Sequence, residues 1–335
     1  MQFGYFDALR REYVVTVPRT PLPWINYLGS EDFFALMSNT AGGYCFYKDA
    51  RLRRITRYRY NNCPPDQEGF HVYIKDGDTI WNPGWQPVQT ELDAYSCRHG
   101  LGYTRIEGEK NGILAAQQLF VPRGEQCLLM ELTLQNRSGE RKALEVFPFV
   151  EFCLWDAVDD STNFQRNFST GEVEVEAGAI YHKTEYRERR NHYAVFWADR
   201  PFQGFDTARE AFMGSYGSPA APEAVLRGAC AGSVAQGWAP VGAMQFHVEL
   251  EPEAEETLLL GLGYVENPEE EKFSAPGVIN KRLAHELMER YRTKEQSAAA
   301  FRELGRYWEE LLSSLQVQTP DEKVDLMVNT WNQYQ

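Results

Sequence analysis

The chain lacks the residue patterns that announce most metal and cofactor chemistry. Its six cysteines (Cys45, Cys63, Cys97, Cys127, Cys153 and Cys230) are scattered over 335 residues with no C-x-x-C pair. That spacing excludes a small disulfide framework or a zinc ribbon and predicts reduced, mostly buried thiols. The six histidines, His71, His99, His182, His192, His247 and His285, form no H-x-x-x-H pair, which argues against a metal site. No G-x-S-x-G, G-x-G-x-x-G or phosphate-loop pattern supports serine hydrolase, Rossmann or P-loop chemistry. No window approaches the run of about 18 apolar residues that a membrane span needs. Residues 1–7 lack the basic and apolar regions of a signal peptide, so the expected location is cytoplasmic and the sequons at Asn136 and Asn167 are expected to stay unused. Positive charge is also scarce. With 34 Lys and Arg against 48 Asp and Glu the net charge is −14, which argues against nucleic acid or an anionic membrane as partner and favours neutral substrates.

Aromatic residues are plentiful: 18 Tyr, 19 Phe and 8 Trp exceed what a minimal core requires, and suit an all-β protein or a carbohydrate surface. The length allows one large domain or two ordinary ones. Up to about residue 270 the chain reads as strands and turns. Residues 126–134 form a buried strand, turned by Asn136 to Glu140 into residues 143–147. Residues 172–176 alternate charge and valine, predicting one wet and one packed face. Residues 244–250 and 257–262 flank an acidic turn. The fold class is therefore mainly β, a large antiparallel β-sandwich.

The pattern changes after Pro276-Gly277. Almost nothing breaks a helix over residues 280–316, where Phe301, Leu304, Trp308, Leu311, Leu312 and Leu315 make an apolar stripe that needs a partner surface. Thr319-Pro320-Asp321-Glu322 reads as a helix start with Thr319 at the N-cap. The helix it opens carries Val324, Met327, Val328, Trp331 and Tyr334 with no stop signal, from which more protein is expected to follow.

Four clusters carry candidate chemistry. Thr162 to Thr170 packs Asn163, Gln165, Arg166 and Asn167 with Phe164 and Phe168 into a short polar loop. Amide and guanidinium groups beside aromatic faces suit a sugar, whose hydroxyls need paired donors and acceptors; an ordinary hairpin loop is the alternative. Arg51, Arg53, Arg54, Arg57 and Arg59 read either as an anion site or as a strand pairing with the acidic surface. Residues 186–193 suit a subunit interface, a substrate rim or a solvated hairpin. Asp156, Asp159 and Asp160 invite comparison with glycosidase acids, but acids so close in sequence fall in one turn and favour capping.

Residues 18–29 (PRTPLPWINYLG), 38–44 (SNTAGGY), 51–62, 97–104 (CRHGLGYT) and 151–193 together resemble the N-terminal region of the cellobiose phosphorylases of glycoside hydrolase family 94. The closing Trp331-Asn332-Gln333-Tyr334-Gln335 resembles the first helix of that family's barrel. The resemblance implies a β-sandwich over residues 1–275, a helical linker over 276–317 and the opening of an (α/α)6 catalytic barrel over 318–335. It implies phosphorolysis of cellobiose to α-glucose 1-phosphate and glucose, reversibly and with inversion. The general-acid Asp would lie in the barrel, so no catalytic residue is expected in this chain, and no metal or organic cofactor, inorganic phosphate being a substrate. It further implies a homodimer in which the sandwich loop reaches the partner's barrel. On that basis Asn163 and Gln165 would meet sugar hydroxyls, Arg166 would sit at the pocket mouth, and Phe164 and Phe168 would hold the loop in place.

Two readings compete. One is the N-terminal part of such an enzyme, with cellodextrin, chitobiose, laminaribiose and cellobionate phosphorylases as sibling activities. The other is an isolated module that binds carbohydrate or dimerises without activity. The helical stripe from Phe301 to Leu315, expected to be exposed, and the helix that runs to Gln335 without a stop disfavour the second, because a finished module would not present an unburied face.

Overall fold

Strands dominate because β-branched and aromatic residues recur in short runs closed by Gly, Pro, Asn and Asp. The computed structural model describes residues 2–29, 31–61, 63–162, 170–176, 178–185 and 190–334. Among them all strand pairs between named strands are antiparallel. The larger sheet orders Gly4–Asp7, Glu12–Val15, Ala94–Gly100, Tyr103–Lys110, Ile113–Phe120, Cys127–Asn136, Glu255–Glu266, His192–Ala198, Ala179–Glu185, Thr170–Glu176 and Gln236–Gly237. The smaller orders Gly204–Ala208, Pro240–Leu250, Lys142–Trp155, Arg54–Thr56, Gly43–Tyr47, Phe33–Ser38 and Ile25–Leu28. Its long strand Lys142–Trp155 meets His71–Asp76 over its first half and Arg54–Thr56 near its end. The mainly β sandwich expected from sequence is what forms.

The sheets face each other over a core that includes Phe152, Trp155, Phe196, Phe246, Leu258 and Leu260. Pro240–Leu250 and Glu255–Glu266 flank the acidic turn but do not pair with each other. The first joins the smaller sheet and the second the larger, so the turn crosses between layers. A second core covers the far side of the larger sheet, where Tyr181, Tyr193 and Trp197 pack with Leu287, Leu304 and Trp308. The larger sheet is thus buried on both faces, which explains why Leu258, Leu259 and Leu260 run without polar alternation. Gly261 lets Trp197 lie across the strand, since a Cβ there would stand 2.1 Å from the indole ring.

The helical stretch is two helices, Arg282–Glu289 and Lys294–Ser313, not one. Thr293 breaks it by capping the second: its side chain accepts from Gln296 N–H, and Gln296 answers on the Thr293 N–H. The apolar stripe does not stay bare. Leu304, Trp308 and Leu312 are buried and Phe301 packs edge-on against Tyr103 and Phe120, leaving only Leu311 and Leu315 exposed. The sandwich itself is the partner surface, so an unburied helix face is no argument against an isolated module. The next helix, Glu322–Leu326, is capped by Asp321, whose side chain accepts from Lys323 N–H. Thr319 lies outside it and accepts from Asp321 N–H. Met327–Trp331 winds as a π turn before Asn332–Tyr334. There the Tyr334 hydroxyl accepts from Gly102 N–H at 3.0 Å and donates to the Tyr27 carbonyl at 2.7 Å.

The motifs that carry the family resemblance knit the sandwich together. Asn39 accepts from Trp24 N–H at 3.0 Å and donates to the Pro18 carbonyl. His99 bonds Thr104 and the Trp24 carbonyl, both at 3.0 Å. Cys97, two residues before it in the same motif, lies 3.7 Å from its ring. Cys45, Cys97, Cys127 and Cys153 are buried, Cys230 partly so and Cys63 exposed, all as free thiols. No helix of the described residues is long and apolar enough to cross a membrane.

Replacing Trp308 by Ala should cost about 3–5 kcal/mol by emptying the second core, read as a lowered urea midpoint with strand content retained. Burial pushes His71 and His99 down to about 4. Unfolded histidine titrates near ~6.5, so below that pH the unfolded chain takes the protons first. Stability is therefore complete above about pH 6.5 and erodes as pH falls towards 4, at about 1.4 kcal/mol per unit for each histidine. Urea midpoints measured across that window should fall steadily.

Candidate functional site

The strand Lys142–Trp155 ends on Trp155, fully buried at φ 73°, a left-handed conformation uncommon outside glycine. The chain leaves the sheet there. Asp156 then caps the short helix Ala157–Thr162, accepting from Val158 N–H at 2.9 Å and Asp159 N–H at 3.0 Å. Asp156 is a cap and Asp160 an ion-pair partner, so the structure gives both of these acids the structural part that their spacing suggested.

Arg57 organises the ground beneath this helix. Its Nε and Nη2 donate to the two carboxylate oxygens of Asp160, each at 2.7 Å. Nη1 donates to Glu151 at 3.2 Å and Nη2 also to the Trp238 carbonyl at 3.1 Å. Glu151 in turn accepts from Arg209 Nε at 2.7 Å. Arg57, Asp160 and Glu151 are nearly out of solvent, with side chains 4%, 4% and 7% exposed. Two guanidinium groups thus face two carboxylates, and a forked arginine fits a carboxylate with both donors. Burial works against the Arg57 charge, but Asp160 and then Glu151 more than restore it. Burial likewise raises the Glu151 carboxyl, and Arg57 and Arg209 outweigh it, holding the group below its ordinary value.

Asn163, Gln165, Arg166, Phe164 and Phe168 lie outside the described residues. Their flanks are fixed. Before them, the Thr162 hydroxyl donates to the carbonyls of Val158 or Asp159, both at 3.1 Å. After them, Thr170–Glu176 pairs with Ala179–Glu185 on one side and Gln236–Gly237 on the other. Beside this strand opens a cleft of about 700 Å³ whose lining includes Thr170, Arg209, Glu210, Gln236 and Trp238. Trp238 is 52% exposed. No sequence pattern singled out Arg209 or Trp238. The available signal was an indole amid the small and polar residues of 228–242, an unusual place for a core side chain.

The arginine run is mostly structural. Arg51 lies 3.8 Å from Asp156, and Arg53 lies 3.6 Å from Glu266 and 2.7 Å from the His192 ring. Arg54 stacks 3.6 Å over the Tyr44 ring. Arg51, Arg53 and Arg57 thus meet carboxylates, while Arg54 donates instead to the Ala50 carbonyl at 2.8 Å. Tyr58 donates to Asp66 at 3.0 Å and Tyr60 to Tyr44 at 2.7 Å. Ser38 and Thr40 also donate to Asp66, whose carboxyl burial pushes up. Of residues 186–193, those at 186–189 lie outside the described residues. His192 is buried, and Tyr193 donates to the Asn280 carbonyl at 3.0 Å.

The model of the "Glycosyl hydrolase 94, supersandwich domain" matches residues 11–294, and that of the "Glycosyl hydrolase 94 superfamily, catalytic domain" matches residues 307–335. The N,N'-diacetylchitobiose phosphorylase of Vibrio furnissii is 32% identical over 341 residues, covering 100% of this chain and 40% of that protein. The protein of the same name from Vibrio proteolyticus is 33% identical over 352 residues, with the same coverage. The solabiose phosphorylase of Paenibacillus borealis is 31% identical over 346 residues, covering 98% of this chain and 42% of that one. The chain thus spans about 40% of the length of these relatives.

Arg57→Met should destabilise the chain by about 3–5 kcal/mol, because Asp160 is left charged and buried without its fork. Arg57→Met combined with Asp160→Leu should recover most of that loss. Urea unfolding of the four members of the cycle checks both expectations.

Proposed function

The chain belongs to glycosyl hydrolase family 94, and from that premise we propose that it serves as the N-terminal part of an inverting disaccharide phosphorylase. The observation that carries the reading is the family match over residues 11–294, together with relatives named as phosphorylases. In the proposed reaction a carboxylic acid outside this chain protonates the glycosidic oxygen as the C1–O bond breaks. A phosphate oxygen attacks C1 from the opposite face, giving an α-sugar 1-phosphate and a free sugar. Phosphate is itself the nucleophile, so no second carboxylate is needed to activate water, and this chain need supply no general base.

The proposed part of this chain is to shape and close the substrate pocket. Asn163 and Gln165 would hydrogen-bond sugar hydroxyls, Arg166 would stand at the pocket mouth, and Phe164 and Phe168 would brace the segment. In a homodimer these residues would reach the partner's catalytic barrel, making the dimer part of the mechanism. The division into a sandwich over 1–275, a linker over 276–317 and a barrel start over 318–335 belongs to the same proposal. So does a cytoplasmic location, which the unpaired cysteines suit. A carbohydrate-binding module without activity is the reading to exclude.

For the sugar, the motif resemblance favours cellobiose. A second reading, N,N'-diacetylchitobiose, rests on two relatives of that name that cover the whole chain at 32% and 33% identity. Incubating the complete polypeptide that carries this chain with phosphate and either disaccharide tests both. α-Glucose 1-phosphate from cellobiose supports the first, N-acetylglucosamine 1-phosphate the second, and no sugar phosphate from either or from the sibling substrates would overturn the phosphorylase reading. In the active enzyme Arg166→Ala or Gln165→Ala should lower kcat/KM about 10- to 100-fold, or roughly 1.4–2.7 kcal/mol, with the unfolding midpoint unchanged. Unaltered kinetics in an intact dimer would remove the segment from the site.

A further inference from the structure

We propose that the cleft around Trp238 is a saccharide subsite that seats one pyranose ring against the indole. The inference deepens the phosphorylase reading and rests on its saccharide substrate class. It names residues that no sequence motif marked.

Three observations converge. First, Trp238, 52% exposed as a residue, gives up burial that tryptophan normally finds, yet it is not loosely held. Its carbonyl accepts from the buried Arg57, and the adjoining Gln236–Gly237 pairs with Glu172 and Gly171. A flat aromatic face presented to solvent on a fixed backbone is a platform for the C–H face of a sugar.

Second, the polar groups around it have capacity to spare. Arg209 is oriented by its Nε bond to Glu151, while its two terminal nitrogens carry no hydrogen bond among the described residues. The Glu210 carboxylate and the Gln236 amide likewise make no side-chain hydrogen bond there. One guanidinium, one carboxylate and one amide supply donors and acceptors with no net charge. That balance suits a neutral polyol better than a phosphate or a cation.

Third, size and place agree. About 700 Å³ falls within the range of small-ligand sites. Thr170, the first described residue after segment 163–169, lines the cleft. A sugar on Trp238 would therefore lie at the foot of the segment proposed to contact substrate. Its orientation depends on Arg57, which holds both Trp238 and the helix before that segment.

The test needs no turnover. The purified protein is titrated with cellobiose and with N,N'-diacetylchitobiose in the absence of phosphate, followed by tryptophan fluorescence and calorimetry. Wild type should show a saturable fluorescence change. Trp238→Ala should abolish that change and weaken the corresponding binding event at least tenfold, while Trp238→Phe should stay within about threefold. Circular dichroism and the unfolding midpoint should not move, the side chain being half exposed. Binding of Trp238→Ala indistinguishable from wild type overturns the proposal. So does unchanged sugar binding with a dimer that dissociates in sedimentation, which would make Trp238 a subunit contact. Trp238-dependent binding in a protein that yields no sugar phosphate would sink the phosphorylase reading and leave the subsite standing. Phosphorolysis with sugar binding untouched by Trp238→Ala would sink the subsite alone.

Discussion

The region of chemical interest hangs on one buried guanidinium. Arg57 reaches three separate pieces of chain: Asp160 on the helix that leads into segment 163–169, Glu151 on the longest strand of the smaller sheet, and the carbonyl of Trp238 beyond the cleft. The first two follow each other along the chain, but Arg57 stands 103 positions from Asp160 and 181 from Trp238. A charge removed from water is costly, and it is tolerable here because every donor direction used ends on an oxygen and the opposite charges are equal in number. The network repays that cost less in stability than in definition: it sets one geometry for the ground next to segment 163–169.

That geometry needs a rigid base, and two-sided burial of the larger sheet provides it. One face meets the smaller sheet and the other meets the helices Arg282–Glu289 and Lys294–Ser313. Glycines on the strand Glu255–Glu266 make this close layering possible, since at Gly261 and Gly263 any side chain would collide with Trp197 or Leu287. Loops carried by such a base can be polar and irregular without loss to the fold.

Much of this was legible in the residues. Strands at 127–136 and 170–176 follow from apolar runs and from the period-two pattern of Glu172 to Glu176, because those signals are local. The arginine run was open between two readings, and long-range pairing decided it: Arg57 and Asp160 are 103 positions apart, a distance no periodicity spans. The break between the two linker helices was in principle readable, as Thr293 and Gln296 stand at capping-box spacing. A strong apolar stripe on either side masked it. The cap of the following helix moved from Thr319 to Asp321 because either oxygen can close the turn, and local hydrogen bonding favoured the later one. The unburied helix face expected from the stripe fails for a tertiary reason, since Gly102 and Phe120 of the sandwich accept it. For the site, Asn163, Gln165 and Arg166 stand on sequence alone, whereas Trp238 and Arg209 emerge only once distant segments are brought together.

The pairing of Cys127–Asn136 with Glu255–Glu266 carries a consequence for biosynthesis. A ribosome making this chain releases the first strand well before the second exists, and at about 5–20 residues per second the wait is roughly ten seconds. Throughout that interval the segment Leu128-Leu129-Met130 offers an unpaired edge in the middle of what will be the larger sheet. Closure of the larger sheet therefore cannot be completed before translation has passed residue 266. Holding chaperones, or a slower ribosome after residue 266, would be expected to raise the yield of native protein more than any strengthening of the finished core.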